Sequence, residues 1–194
     1  MTADDPNFWR YLTATPWLIF LAYWVISSFR TRQTAGKESA ASRSSFLLFE
    51  IPGYILLFSE RARIGVWGQP MFHQTLAIAV TGVAFTWLGL ALAIWARWHI
   101  GEYWSARVTI KEDHKLIRSG PYARLRHPIY SGLDLAAIGM ALLVDEWGCL
   151  VGLALIVVGY VLKAKKEERM LAAQFGEVFQ EHCRHTGFLF PKLG

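Results

Sequence analysis

The residues best suited to chemistry are gathered in one short stretch, GPYARLRHPIYSG, from Gly120 to Gly132. It packs arginines, a histidine, tyrosines, prolines and glycines between two strongly apolar halves of the chain. Gly120-Pro121 is a turn pair, and Pro128 biases His127 away from the helical region while suiting the first position of a helix. A helix therefore starts at Pro128, with His127 as its cap and Arg126 just before it. The N–H groups of Ile129 and Tyr130 would point back into the preceding loop. A helix start flanked by arginine and histidine is an anion site. The competing use of Arg124, Arg126 and His127 is contact with lipid phosphates at a membrane surface.

The elements that must position this stretch read as membrane helices. Apolar residues make up 54% of the 194, charged residues only 18%, and nine are tryptophan. They come in blocks, which disfavours a soluble globule. A helical span needs about 20 mostly apolar residues. Five candidates follow: Pro16 to Phe29, extended upstream by Phe8, Trp9, Tyr11 and Leu12; Phe46 to Phe58; Thr75 to Trp95; Ile129 to Val144; and Trp147 to Leu162. Glu50 and Pro52 interrupt the second, which predicts a kinked or partly interfacial helix. Only Asp145 and Glu146 separate the last two, which predicts a tight hairpin. Thr34 to Ser45 reads as a flexible loop. In the tail, Leu171, Phe175 and Phe179 recur at helical spacing beside Glu167, Glu168, Arg169 and Glu177, which predicts an amphipathic helix lying on the bundle or the membrane. The expected fold is thus an all-α integral membrane protein of about five transmembrane helices. The chain forms one domain over 1–194, with N-terminal spans in 1–95 and a loop, hairpin and tail in 96–194.

Charge orients the bundle. Arg30, Arg32, Lys37 and Arg43 follow the first span, and a second basic group runs from Arg97 to Arg126. Five spans place both, with Lys163 to Lys166, on one side. The acidic N-terminus and the Asp145–Glu146 turn fall on the other. The positive-inside rule makes the basic side cytoplasmic, with Arg61 and Arg63 as exceptions. Asp4 and Asp5 replace the basic region of a signal peptide, so the first span is expected to be retained. The pI near 9.4 comes from these loops, which favours anionic lipid partners over nucleic acid. Cys149 and Cys183 form neither a disulfide framework nor a metal motif. His182 and His185 around Cys183 read as a solvated helix face rather than metal ligands, and no metal is expected. Glu50, a carboxyl at membrane depth, should face the bundle interior, either as a packing hydrogen bond or in a substrate site.

The run HKLIRSGPYARLRHPIYSG from His114, followed by EERMLAAQFG from Glu167 and a terminal FP, resembles the isoprenylcysteine carboxyl methyltransferase family. Related phospholipid N-methyltransferases share the RHPxYxG element. The resemblance covers residues 101–191. It implies an integral-membrane methyltransferase using S-adenosyl-L-methionine, held at the cytoplasmic ends of the last helices. Carried over by residue, cofactor contacts would be His114, Lys115, Leu116 and Ile117, then Tyr122, then His127, Pro128, Ile129 and Tyr130, and finally Glu167. An arginine that contacts substrate in eukaryotic members is here Lys163, which keeps the charge and loses the bidentate fork.

These residue types suit the cofactor. His127 and the helix start can take its carboxylate, Glu167 its ammonium or ribose hydroxyls, the tyrosines its adenine and sulfonium, and Leu116–Ile117 its adenine through a strand-like backbone. The bland alternative pairs Glu167 and Glu168 with Lys163 and Lys165 along an exposed helix. On the cofactor reading His127 and Glu167 should matter more than Glu168. The expected acceptor is lipidic or amphipathic and enters from the bilayer. A carboxylate nucleophile needs only desolvation and a positive neighbour such as Lys163, Arg126 or Arg97, which tips the expectation toward carboxyl O-methylation of a prenylcysteine-like acceptor. Methylation of a phospholipid amine or a small thiol is the alternative. A membrane reductase using NADPH is the rival from another class.

Overall fold

The computed structural model describes residues 6–29, 40–104 and 116–192, with the side chains of Pro6, Asn7, Arg10 and residues 40–44 left aside. It is built from helices. We label them α1 (Pro6–Ser28), α2 (Ala40–Phe58), α3 (Leu76–Ile100), α4 (Pro128–Val144), α5 (Trp147–Phe175) and α6 (Glu177–His185). Among the described residues, the only β-type pairings are the isolated bridges Pro70–Glu146 and Leu125–Gly187.

Three helical segments are long and apolar enough to cross a membrane: Tyr11–Ser28, Leu76–Tyr103 and Trp147–Phe175. The second and fourth expected spans appear as the shorter apolar helices Ser45–Phe58 and Pro128–Val144. Large apolar side chains such as Leu18, Val80 and Trp98 stand on the outer surface, at 65%, 52% and 69% exposure. An apolar belt of that kind needs lipid or protein against it.

The helices pack in pairs, α3 on α4 and α2 on α5, with α1 against α3 and α4 against α5. Small residues set the first seam. A Cβ placed on Gly132 would lie 2.5 Å from the Gly89 carbonyl oxygen and 2.8 Å from the Ala93 nitrogen. Glycine is what lets these two backbones touch. The core then fills with Leu90, Leu133, Ile156 and Cys149, and Trp17 of α1 sets its ring edge-on to Tyr54 and Phe58 of α2.

The expected α4–α5 hairpin is present. Pro128 opens α4, and Asp145, in the left-handed region at φ 55°, turns the chain toward Trp147. The Asp145 carboxylate accepts from the Met71 and Phe72 amides at 3.2 and 3.1 Å. Arg63, an exception to the charge pattern, is buried beside this turn. Its Nε donates to Glu146 at 2.5 Å and its guanidinium also donates to the Leu56 carbonyl at 2.9 Å, so its charge is neutralised locally.

Three local expectations change. The loop expected over 34–45 gives way to helix from Ala40, and the rest of it lies outside the described residues. The amphipathic tail is not one separate helix. α5 runs unbroken through the Lys163–Glu168 charges to Phe175, and Gly176, at φ 49°, turns the chain into α6. At 1.5 Å per residue, α5 is about 43 Å long, more than a hydrocarbon layer of about 30 Å. The charged part is where a helix of this length would leave the bilayer. His182 is buried rather than solvated, at 8% exposure.

Candidate functional site

The site forms where the start of α4, the charged third of α5 and the segment after α6 meet. After α6 the chain is stitched to the arginine-rich loop by its backbone. Gly187 donates to the Arg124 carbonyl at 3.0 Å, Arg126 to Gly187 at 2.9 Å and His127 to Phe188 at 3.3 Å. The Ser131 hydroxyl donates to the Leu189 carbonyl at 2.7 Å. The terminal segment thus clamps the RHP turn in place.

Inside this clamp the side chains form one network. Arg126 Nε donates to Glu168 at 2.5 Å, and its NH1 donates to the Thr186 carbonyl at 2.6 Å. The buried His127 ring lies between two carboxylates, with Nε2 3.3 Å from Glu168 and Nδ1 3.5 Å from Glu167. Tyr130 donates its phenolic proton to Glu167 at 2.6 Å. Rings hold the imidazole in place, since Tyr130 stacks on it at 5.7 Å and Phe188 meets it edge-on at 5.2 Å. Burial alone would lower the affinity of His127 for a proton. Hydrogen bonds to Glu167 and Glu168, and their charges, outweigh it and raise the imidazole above its ordinary value.

The stack continues inward. Tyr130 lies 4.9 Å from Tyr160, nearly parallel to it, and the Tyr160 hydroxyl meets the Tyr54 hydroxyl at 2.7 Å. Lys163 sits above this stack, with Nζ 5.4 Å from the Tyr130 ring and 5.2 Å from the Phe46 ring.

Most of the expected cofactor residues converge here. His127, Pro128, Ile129, Tyr130 and Glu167 meet at the α4 start. Tyr122 is buried beside them, its ring 6.5 Å from His99, and burial with the Glu167 charge raises its phenol above the ordinary value. His99 was not legible as a neighbour of this loop; its Nε2 pairs with the Ser119 hydroxyl at 2.8 Å. Leu116 and Ile117 are half-buried and irregular rather than strand-like, with Ile117 packed on the core. His114 and Lys115 lie outside the described residues.

The three cations proposed for substrate have different surroundings. Arg97 is buried at the end of α3, donating to the Ser27 and Gly101 carbonyls at 2.7 and 2.8 Å under the Trp104 ring. It ties α1 to α3. Arg126 is committed to Glu168 and Thr186. Lys163 touches rings only, among the described residues.

Glu168 is the residue whose weight the sequence reading understated. It holds Arg126 and His127 at once, with its side chain 22% exposed, so neither carboxylate belongs to an exposed helix pair with Lys163 or Lys165. Asp134, a carboxyl within the apolar helix α4, carries the same sequence signal as Glu50.

Chemically, the site can hold a zwitterion. The α4 ladder begins with Ser131 donating to His127 at 3.0 Å, so the Ile129 and Tyr130 amides stand ahead of it as anion donors. Glu167, with Tyr130 on one oxygen, keeps acceptor capacity for an ammonium or a diol.

The chain is 31% identical to the cobalt-zinc-cadmium resistance protein CzcN of Cupriavidus metallidurans over 140 residues, which are 71% of this chain and 57% of that protein. It therefore spans little more than half of that relative. It is 27% identical to the nickel-cobalt-cadmium resistance protein NccN of Alcaligenes xylosoxydans xylosoxydans over 70% of this chain and 68% of the relative. An uncharacterised protein of Bacillus subtilis, YpbQ, is 31% identical over 31% of this chain and 41% of its own length. The model of the isoprenylcysteine carboxyl methyltransferase (ICMT) family matches residues 82–173, which include α4, most of α5 and the RHP turn between them and α3. Through that region, a little under half of its length, the chain is similar to the isoprenylcysteine carboxyl methyltransferase family.

Proposed function

We propose that this protein is an integral-membrane methyltransferase that uses S-adenosyl-L-methionine to methylate the head group of an amphipathic acceptor. The observation that carries the reading is the His127–Tyr130–Glu167–Glu168 network at the start of α4. Its donor set fits the cofactor's amino-acid end, with helix-start amides for the carboxylate and Glu167 for the ammonium. When bound, the cofactor supplies an electrophilic methyl group. The residues here bind and orient. His127 and Arg126 fix the two carboxylates, and the segment after α6 covers them. Rings of Tyr130 and Tyr160 offer apolar, electron-rich faces to a cation. Alignment, rather than a metal, is what a methyl transfer asks of a protein.

The two relatives named for metal resistance do not redirect this reading. Among the described residues no group of three or more histidine, cysteine or carboxylate side chains is placed to hold a metal ion.

In this proposal five spans cross the membrane, with α2 and α4 completing the three longer helices, and the site faces the cytoplasm as the basic loops predict. The acceptor enters from the bilayer. A carboxylate acceptor is the less supported form of this proposal, since Arg97 and Arg126 are engaged elsewhere and only Lys163 is left to face it. The test is transfer of a labelled methyl from S-adenosylmethionine to a prenylated cysteine analogue, its unprenylated parent, a phosphatidylethanolamine and a small thiol. Label on tailed acceptors, and not on the unprenylated parent, is expected. Transfer to none of them, or equal transfer with and without the tail, contradicts the proposal.

A further inference from the structure

Two carboxyl groups inside the bundle have oxygens that no described residue satisfies. Asp134, on α4, is 9% exposed, and its Oδ1 has no hydrogen-bond partner among the described residues. Glu50, on α2, has a buried Oε1 in the same state. It lies against α5, where a Cβ on Gly159 would come 2.7 Å from its Cγ. The two lie within electrostatic range of each other and of the Tyr54–Tyr160 hydroxyl pair. Unsatisfied carboxyl oxygens at this depth are costly, and their usual explanation is a ligand or a polar pathway.

The cations nearby do not satisfy these oxygens. Lys163 is within electrostatic range of Glu50 but forms no ion pair among the described residues; its Nζ lies over the Tyr130 and Phe46 rings, and Lys166 lies over Phe46 as well. In the neighbouring network Arg126 and His127 are committed to Glu167 and Glu168. Carboxyl oxygens without a donor suit a ligand that brings N–H groups, and the aromatic rings around them favour an ammonium. Access runs along α2. A shallow, open groove lies there, lined by Leu47, Ile51, Ile55 and Phe58 together with Glu50 and Tyr54. Its apolar wall is suited to a hydrocarbon chain.

We infer that Glu50 and Asp134 form the acceptor's head-group subsite, and that the acceptor is a lipidic amine held as its ammonium with its tail in the α2 groove. The inference deepens the methyltransferase reading and rests on it for the reaction. The Tyr54–Tyr160 hydroxyl pair and the Tyr160–Tyr130 ring stack join the subsite to Glu167. The ammonium gives a proton to a carboxylate oxygen of the pair, and the freed nitrogen lone pair forms the new N–C bond. The C–S bonding electrons of the methyl donor leave with sulfur, and no other reactant is needed.

The test is binding, without turnover. The protein in lipid nanodiscs is titrated with dodecylamine, dodecanol and dodecanoate, which share a tail, and separately with S-adenosylhomocysteine. Dodecylamine should bind at least about tenfold more tightly than dodecanol, the scale of one charge-assisted hydrogen bond. Glu50→Gln and Asp134→Asn should each remove that preference and leave dodecanol and S-adenosylhomocysteine binding unchanged. Should Asp134→Asn not fold, Glu50→Gln at the groove decides alone. Equal binding of amine and alcohol, or preference for dodecanoate, overturns the subsite even where S-adenosylhomocysteine binds. Amine preference without S-adenosylhomocysteine binding supports the subsite and removes its methyl-transfer role.

Discussion

Replacing Glu168 by alanine leaves Arg126 and His127 facing each other with one carboxylate fewer between them. The lost contacts are the 2.5 Å bond from Arg126 and the 3.3 Å contact with His127, among side chains 15%, 5% and 22% exposed. Breaking a fully buried pair costs about 3–5 kcal/mol, and an exposed pair is worth under about 1 kcal/mol. This partly covered site falls between, at about 2–3 kcal/mol, or roughly 4–12 °C in Tm for a chain of this size. Thermal unfolding in nanodiscs measures it, with Lys165→Ala on the exposed face of the same turn as the comparison. Arg126→Ala made alone and together with Glu168→Ala should show coupling of about 1–2 kcal/mol. If Glu168→Ala is no more destabilising than Lys165→Ala, the network is a solvated helix face and the site argument fails.

The raised His127 makes a pH prediction. A group whose folded value lies above its ordinary 6.5 contributes stability in full below that value, and the contribution is lost as pH rises through the folded value. Unfolding measured from pH 6 to about pH 9 should show stability falling in that window, and His127→Phe should flatten the curve. A slope unchanged by His127→Phe would contradict the assignment to this ring. Gly132→Val should separate α3 from α4 and cost about 2–3 kcal/mol, the scale of overpacking; a wild-type Tm would contradict the seam. Single cysteines at Ser39, Lys111 and Lys192, in a background lacking Cys149 and Cys183, should all label from the cytoplasmic side, and labelling of Lys111 from outside would overturn the orientation.

The parts of the fold written in local signals were legible. Pro128 after His127 marked a helix start, and Asp145–Glu146 between apolar runs marked a hairpin; both are present. Hydropathy misplaced the end of α5, because it reports where apolar surface stops, whereas the backbone stops at Gly176. The site was legible as a set of residue types but not as a network. Adjacent positions on one helix point in different directions, so sequence gave no way to learn that Glu168 reaches Arg126 while Glu167 reaches Tyr130. The Tyr54–Tyr160 bond joins residues 106 apart, and no local pattern announces it. Asp134 was visible as a carboxyl in an apolar run. What it faces depended on how α2 meets α4, which only packing decides.

The most direct test of the central claim is equilibrium binding of S-adenosylhomocysteine to the purified protein, with NADPH titrated in parallel. The account predicts saturable binding of S-adenosylhomocysteine and none of NADPH. His127→Ala and Glu167→Ala should each weaken it by at least about tenfold, the scale of losing a charge-assisted contact. Binding of NADPH instead, or S-adenosylhomocysteine binding indifferent to both substitutions, would contradict it.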